Sequence, residues 1–270
     1  MNREGGTGNP DATFGELRWD TAFFGIPCAK AVLNRPLGKE RWESLNARFM
    51  EYRFVSIENR YSEPANAQWI GAHLPAFLAD VNIQFVKKVD PDCEDPNQVT
   101  VFEAMDQDAG VLELADFRHS KFLEDPGLAS RGGPFVYRHW LANSFCQPGK
   151  FFAVVPDGQG RSTGFALFSF PGGACVIELI AVASGATNGG IGMRLMQAVE
   201  YRAKRQGCME IHVGTQVRNA IAVNFYHKAG FRQAGCHQIY HLWNHEEAGL
   251  EGEHEESFDR IHGKQAVLSF

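Results

Sequence analysis

No apolar run in the 270-residue sequence approaches the roughly 18 residues that a membrane span needs, and the opening MNREGGTGNPDATFG lacks the apolar core of a secretory leader. These absences predict a cytoplasmic protein with no membrane partner. The six cysteines (Cys28, Cys93, Cys146, Cys175, Cys208 and Cys236) stand far apart, with no CxxC among them. That spacing fits reduced thiols better than a disulfide framework or a zinc site, so no metal is expected. The 26 Lys and Arg residues are scattered and outnumbered by 32 Asp and Glu, giving a net charge of -6. Without a basic stripe there is no footprint for a phosphate backbone, and nucleic acid is an unsuitable partner. A P-loop is missing too, since no GK[ST] follows any glycine turn, and Gly190-Ile191-Gly192-Met193-Arg194-Leu195 lacks the third glycine of a dinucleotide fingerprint.

What is present is enough apolar residue, 44% of the chain, for one large domain or two small ones. Residues 1–13 are rich in Gly, Asn and Pro, and residues 245–270 begin with a glutamate cluster; both ends read as loosely ordered, the acidic tail as solvated. The stretch DPDCEDPN, Asp90 to Asn97, interrupts the apolar pattern with two Asp-Pro steps and predicts a boundary between domains at 1–97 and 98–244. Before it, FGELRWDTAFFGIPCAKAVL mixes strand-like runs with Gly and Pro. Next come a helix over Lys39 to Met50, a strand at Phe54 to Glu58, and HLPAFLADVNIQFVKKV, which reads as a short helix leading into a strand. After it, VTVFEAM, a hairpin around PDGQG, VIELIAV and MEIHVGT read as strands, with helices at Asp108 to Phe117, Val136 to Asn143, Gly190 to Gln206 and Ala220 to Ala229. The order predicts a mixed α/β fold around one sheet, unlike the regular alternation of a barrel.

The densest signal is VIELIAVASGATNGGIGMRLMQAVE, where a β-branched strand passes through Gly185, Gly189, Gly190 and Gly192 into a helix. A helix start exposes unpaired N–H groups and the positive end of its dipole, and glycine lets a phosphate approach that backbone closely. An ordinary strand-to-helix turn also uses glycine, so the turn alone leaves both readings open. Downstream, NAIAVNFYHKAGF places Tyr226 almost two helical turns after Asn219, so the two side chains project from similar faces of one helix.

The two stretches together resemble the GNAT N-acetyltransferase superfamily. Thr187-Asn188-Gly189-Gly190-Ile191-Gly192 falls on the family's Gln/Arg-x-x-Gly-x-Gly/Ala, departing at Thr187, and Asn219, Ala222, Tyr226, Gly230 and Phe231 fit its Asn-x-x-Ala-x-x-x-Tyr-x-x-x-Gly-Phe. The resemblance implies acetyl-CoA, or a related acyl-CoA, as co-substrate. Backbone amides of Asn188, Gly189, Gly190, Ile191, Gly192 and Met193 would cradle the pyrophosphate. The strand Leu179, Ile180, Ala181 and Val182 would splay from its neighbour and pair with pantetheine, with Asn219 and Tyr226 on the same cofactor. It further implies Tyr226 as the acid that protonates the leaving thiolate; a core aromatic on an apolar helix face is the competing reading.

LRWDTAFFGIP, RHSKFLEDP, YRHWLANS and VGTQVRNAIAVNFYHKAGF extend the resemblance, over about residues 14–244, to the bacterial dTDP-fucosamine acetyltransferases and related nucleotide-sugar N-acyltransferases. Their N-terminal half is a degenerate GNAT-like domain, and here no strand-to-helix turn of the first half carries a glycine motif. The acceptor implied is the amine of a nucleotide-linked, dTDP-type amino-deoxy sugar, a small-molecule partner, in a protein for which a homodimer is an allowed assembly. Another small amine, a protein N-terminus or a non-catalytic CoA-binding module are the alternatives. An amine must be unprotonated to attack, so a base is needed. Glu178, the one carboxylate within the apolar run before the turn, is the candidate, with a half-exposed sheet residue as the plain reading. Arg118, His119, Lys121 and Arg138 are candidates for sugar or diphosphate oxygens. Trp19, Phe23 and Phe24 are core aromatics or a surface for thymine. His237 and His241 are about 13 Å apart along a strand, too far to share a metal.

Overall fold

In the computed structural model, residues 10–186 and 189–244 are described. The expected acidic tail, and Thr187 and Asn188 of the glycine turn, lie outside them. The elements run β1 (Ala12–Glu16), α1 (Arg18–Phe24), β2 (Cys28–Leu33), α2 (Lys39–Phe49), β3 (Phe54–Asn59), α3 (Pro64–His73), β4 (Ala76–Lys88), β5 (Thr100–Glu103), α4 (Ala109–Glu113), α5 (Lys121–Glu124), α6 (Pro126–Ala129), α7 (Val136–Ser144), β6 (Phe151–Pro156), β7 (Ser162–Ser169), β8 (Cys175–Val182), α8 (Ile191–Arg205), β9 (Glu210–Gln216), α9 (Ala220–Lys228) and β10 (Arg232–Trp243). The mixed α/β class expected from the element order is what the fold shows.

Two compact units emerge among the described residues, one of residues 10–79 and 238–244, the other within Asp80 to His237. The chain thus divides at Ala79/Asp80 and not in DPDCEDPN, which only links β4 to β5. The reason is pairing: β4 follows α3 in the chain, yet its Asn82–Lys88 stretch pairs with β9, while the end of β10, following α9, pairs with β3.

In the first unit β1 lies antiparallel to β2, β2 parallel to β3, and β3 antiparallel to the end of β10. The apolar positions Trp42, Leu45 and Phe49 recur at helical spacing and are all buried. They pack on Ala29, Ala31, Val55 and Ile57 of the sheet, each large side chain stabilising the unit by ~1.5–3 kcal/mol. Trp42 stacks on Trp69 of α3 at 4.2 Å. The parallel β2–β3 ladder is unbroken over all six residue pairs, Cys28–Leu33 with Phe54–Asn59. Trp19 and Phe23 of α1 stack on each other at 4.7 Å. The expected strand-like character of FGELRWDTAFF holds only for β1; RWDTAFF is helical, ended by Gly25 with φ 67°. HLPAFLAD is corrected as well: the helix ends at His73, and Ala76 onward is strand.

In the second unit the strand order is β4-β9-β8-β7-β6-β5. The β6–β7 hairpin turns where expected, on Asp157, whose Oδ1 accepts from Gln159 and Arg161 amides, with Gly160 at φ 81°. One sheet face carries α8 and α9, with Leu195 and Val199 of α8 in one core with Phe85, Ile177 and Phe231. The other carries α4 and α7 over Phe152, Phe165, Leu167 and Leu179. The expected helix at Asp108 to Phe117 is real but shorter: Asp108 caps it by accepting from the Val111 amide at 2.8 Å, and it stops at Glu113.

Candidate active site

The parallel strands β8 and β9 pair only at Cys175–Ile177 with Ile211–Val213. Beyond Ile177 they part, and the β9-facing edge of residues 178–182 forms no ladder. A bulge falls at the same point. Leu167 pairs with Leu179 and Phe168 with Ile177, leaving Glu178 opposite no residue of β7. Such an extra residue reverses which side chains face which side of the sheet. Cys175 and Ile177 lie in the core under α8, whereas Leu179 lies in the core under α4 and α7.

A cleft of about 840 Å³ opens where the strands part. It is lined from the α8 and α9 face by Gly190, Ile191, Gly192, Met193, Asn219 and Tyr226, from the strands by Glu178 to Val182, and from the other face by Leu114, Phe117, Arg118, His119 and Tyr137. Of the residues singled out in the sequence, all of these except Leu114, Phe117 and Tyr137 were expected at a site. Gly189 and Lys121 do not line it, and Asn188 lies outside the described residues. Arg138 is exposed on α7 and does not line it either.

The turn into α8 shows why glycine is required. Gly190 is the N-cap residue with φ 75° and no side-chain cap, a conformation costly for residues with a β-carbon. A β-carbon on Gly192 would lie 2.9 Å from Phe225 Cε2, and one on Gly164 of β7 would lie 2.7 Å from Ile191 Cγ2. The first turn of α8 is therefore pressed against both the sheet and α9. Its earliest intrahelical bond is Arg194 N–H to Gly190 C=O, so the Gly192 and Met193 amides have no partner within the helix. A bare strand edge and an uncapped helix start in one cleft suit an extended ligand bearing phosphates.

Tyr226 is 3% exposed, packed against the rings of Phe85 at 5.4 Å and Phe231 at 5.7 Å. Burial pushes its hydroxyl pKa well above the ordinary value, so the group is a neutral hydrogen-bond donor throughout the working pH range. No hydrogen bond to that hydroxyl forms among the described residues. Asn219 caps α9, its Oδ1 accepting from the Ala222 amide at 3.1 Å. The packing and capping readings of these two residues hold, and both side chains still face the cleft.

Glu178 is differently placed from a free base. Its side chain is fully buried, pairs with Lys150 Nζ at 2.6 Å, and accepts from the Ser169 hydroxyl. Two partners from the ends of β6 and β7 thus commit the carboxylate. Sequence reading missed Tyr137, Gln216, Asn224 and Lys228, which also line the cleft. Tyr137 stood within a family-like stretch but carried no motif position; the others alternate with motif residues on β9 and α9. Trp19, Phe23 and Phe24 belong to the first unit, with Phe24 buried. His241 is wholly buried in the first unit, and His237 falls in the second. Among the described residues no group of three or more His, Cys, Asp or Glu is arranged to hold a metal, and no helix is long and apolar enough to cross a membrane.

Residues 114–231 match the model of the Acetyltransferase (GNAT) family. The chain is 24% identical over 140 residues to the spore coat polysaccharide biosynthesis protein SpsD of Bacillus subtilis, 51% of this chain and 48% of that one. It is 32% identical over 89 residues to aminoglycoside N(6')-acetyltransferase type 1 of Klebsiella aerogenes, 30% of this chain and 57% of that one. The chain spans about half the length of the curated relatives it matches. The fold is similar to a GNAT-type N-acetyltransferase of Sphaerobacter thermophilus, with a TM-score of 0.54 and 15% identity over 86% of this chain and 76% of that one. It is also similar to the tandem GNAT protein of the clavulanic acid biosynthesis pathway, with a TM-score of 0.52 and 14% identity over 84% and 79%.

Proposed function

Proceeding from a GNAT acetyltransferase domain at residues 114–231, we propose that the chain is an N-acyltransferase moving an acyl group from acetyl-CoA to the amine of a nucleotide-linked amino-deoxy sugar. The observation that carries the reading is the coincidence, in one cleft, of the parted β8 and β9 edges, the glycine start of α8 and the Tyr226 hydroxyl. Acetyl-CoA, when bound, supplies the activated acyl group as a thioester.

The residues present fit that group. The free edge of Glu178 to Val182 offers alternating N–H and C=O groups to an extended chain. Gly190 leaves room for phosphate at the α8 start, where the Gly192 and Met193 amides donate. Gly189 keeps the turn tight by donating its amide to Ala186 C=O at 3.3 Å. Tyr226 donates toward the departing sulfur. A thiol of pKa about 8.5 leaves as an anion with modest help, and a hydroxyl with a raised pKa gives that help by hydrogen bonding ahead of full proton transfer. Glu178, held by Lys150 and Ser169, fixes the bulge that parts the strands, so the base role is better sought elsewhere on the acceptor side.

The acceptor would enter from the face opposite α8, past Arg118 and His119. Among the described residues that line the cleft on that side, the exposed charges are Asp116 and Arg118. A polycationic aminoglycoside needs several free carboxylates, which this face does not offer, while a sugar diphosphate is suited to Arg118. The polysaccharide-related name of the SpsD relative agrees with a sugar acceptor. Incubation with acetyl-CoA and a panel of dTDP- and UDP-amino sugars, alongside free amino sugars and kanamycin, tests the reading by release of free thiol. Turnover of kanamycin with none of the nucleotide sugars would overturn it.

A further inference from the structure

Gly214 stands in the interior of β9, one residue past Val213, where the ladder with β8 stops. It lines the cleft at the point where the two strands part. Glycine weakens a strand interior and marks a place where another group comes close to the backbone. The φ of Gly214 is not positive, so its backbone conformation does not require glycine. What fills the space is a pair of side chains: a β-carbon there would lie 2.7 Å from Asn82 Oδ1 and 3.0 Å from Gln84 Nε2. Both belong to β4, whose register sets Gln84 directly across from Gly214 and Asn82 across from Gln216. The alternate residues Ile83, Phe85 and Val213 lie in the core under α8, so Asn82, Gln84 and Gly214 face the other side of the sheet, the acceptor side. Over β6, β7 and β8 that side is covered by α4 and α7. On β4 and β9 it is polar and partly open, with Asn82, Gln84 and Gln216 half-buried and Gly214 exposed.

The two carboxamides bond to each other, Gln84 Nε2 donating to Asn82 Oδ1, and among the described residues neither side chain makes another hydrogen bond. That bond leaves the Asn82 amino group as a donor and the Gln84 carbonyl oxygen as an acceptor. A sugar hydroxyl both donates and accepts, so one such pair can satisfy it completely. Neither side chain is charged, which suits a hydroxyl and not a phosphate, whose strong partners are cations and helix starts. We propose that Asn82 and Gln84, laid over Gly214, bind the hydroxyl next to the reacting amine on the acceptor's sugar ring and so select among acceptors; this rests on the acyltransferase reading above. The place follows from the strand register. An extended cofactor with its phosphates at the start of α8 runs back along the free edge from Val182 to Glu178, which brings its acyl end to the apex beside Gly214. An amine attacking there from the acceptor side carries its own ring over the β4–β9 ladder, onto the carboxamide pair.

Two measurements on the full chain decide the point. The first is kinetic, with the fastest acceptor among dTDP- and UDP-amino sugars and kanamycin, and with its analogue lacking the hydroxyl next to the amine. The parent is expected to favour the hydroxylated acceptor about tenfold in kcat/KM, and the Asn82→Ala/Gln84→Ala double variant by less than about twofold. Gly214→Ala drives both carboxamides aside and should raise the acceptor KM about tenfold, with kcat and the acetyl-CoA Kd within about twofold of the parent. Should Gly214→Ala fail to fold, the double variant, which only trims half-buried side chains, carries the test. The second measurement needs no turnover. In 15N-labelled protein the side-chain amide signals of Asn82 and Gln84, assigned through the single alanine variants, are expected to shift when the hydroxylated sugar is added and to stay in place with the analogue. Discrimination retained in the double variant, or amide signals that respond to no sugar of the panel, overturns the inference. Signals that shift without any turnover would sink the acyl-transfer reading and leave the sugar site standing, and turnover of kanamycin alone with shifting signals would sink only the nucleotide-sugar reading.

Discussion

Gly192 and Phe225 approach so closely that a β-carbon on the glycine would lie 2.9 Å from the Phe225 Cε2. The contact ties the start of α8 to the middle of α9, and so links the phosphate-facing turn to the helix bearing Asn219 and Tyr226. Gly192→Ala should push the ring aside and destabilise the protein by ~1–3 kcal/mol, as overpacking does. Denaturant unfolding checks this: a loss under about 0.5 kcal/mol, the spread of neutral surface changes, would show that α9 shifts freely.

Gly190 tests the phosphate turn itself. A substituted residue there must adopt φ 75°, which asparagine tolerates best. Gly190→Asn should therefore fold and bind acetyl-CoA nearly as the parent does. Gly190→Glu adds bulk and negative charge beside the expected pyrophosphate and should raise the acetyl-CoA Kd at least about tenfold, or ~1.4 kcal/mol. Calorimetric titration of both folded variants is the measurement, and equal affinities would discard the phosphate site.

A half-buried carboxylate, Asp80, and a buried one, Glu58, should make stability depend on pH with opposite signs. Burial raises Asp80 from 3.8 to about 6, so the folded state holds its proton more tightly, and stability falls as pH rises from about 4 to about 6. Asp80→Asn should thus gain ~1–2 kcal/mol at about pH 8, after allowance for partial exposure, and nothing near pH 4. Glu58 is the reverse: burial pushes it up, but Lys30 at 2.8 Å and Arg60 at 3.0 Å prevail and bring it from 4.5 to about 2. Its contribution is present above about pH 4.5 and is lost as pH falls toward 2. Glu58→Gln should cost ~2–3 kcal/mol at neutral pH, a deficit that shrinks in acid. Chemical unfolding across pH checks both, and parallel pH curves for either variant and the parent would contradict the assignment.

What the sequence disclosed and what it hid follow from the range of the interactions involved. The α8 start and the helix α9 were legible because their glycines, cap and ring spacing are local. The parting of β8 from β9 was expected only through resemblance, since no residue in VIELIAV announces that its ladder stops at Ile177. The partners of Glu178 come from the ends of β6 and β7. Contacts so distant in the chain leave no periodicity to read. The pairing of β4 with β9 and of the end of β10 with β3 was hidden for the same reason, because a strand's sequence marks its faces and not its neighbour. The helix RWDTAFF escaped because two turns rich in aromatics show no clear period.

Tyr226 offers the sharpest separation of chemistry from packing. The side chain is almost wholly buried among Phe85, Phe225 and Phe231, so its ring contributes to the core whatever its hydroxyl does. Tyr226→Phe keeps that ring. Since no partner among the described residues bonds the hydroxyl, its removal should leave the Tm and the acetyl-CoA affinity nearly unchanged. The raised pKa places the hydroxyl above the thiol it would protonate, so full proton transfer is uphill and the benefit comes from hydrogen bonding to the developing thiolate. The expected fall in kcat is accordingly about ten- to a hundredfold, the lower part of the range for general acid catalysis. Because the parent hydroxyl stays protonated across the working range, its loss should lower kcat by the same factor from about pH 6 to about pH 9. A Phe variant turning over within about twofold of the parent would make Tyr226 a core aromatic only, and a gap that closes toward pH 9 would mean that a group other than this phenol protonates the leaving sulfur.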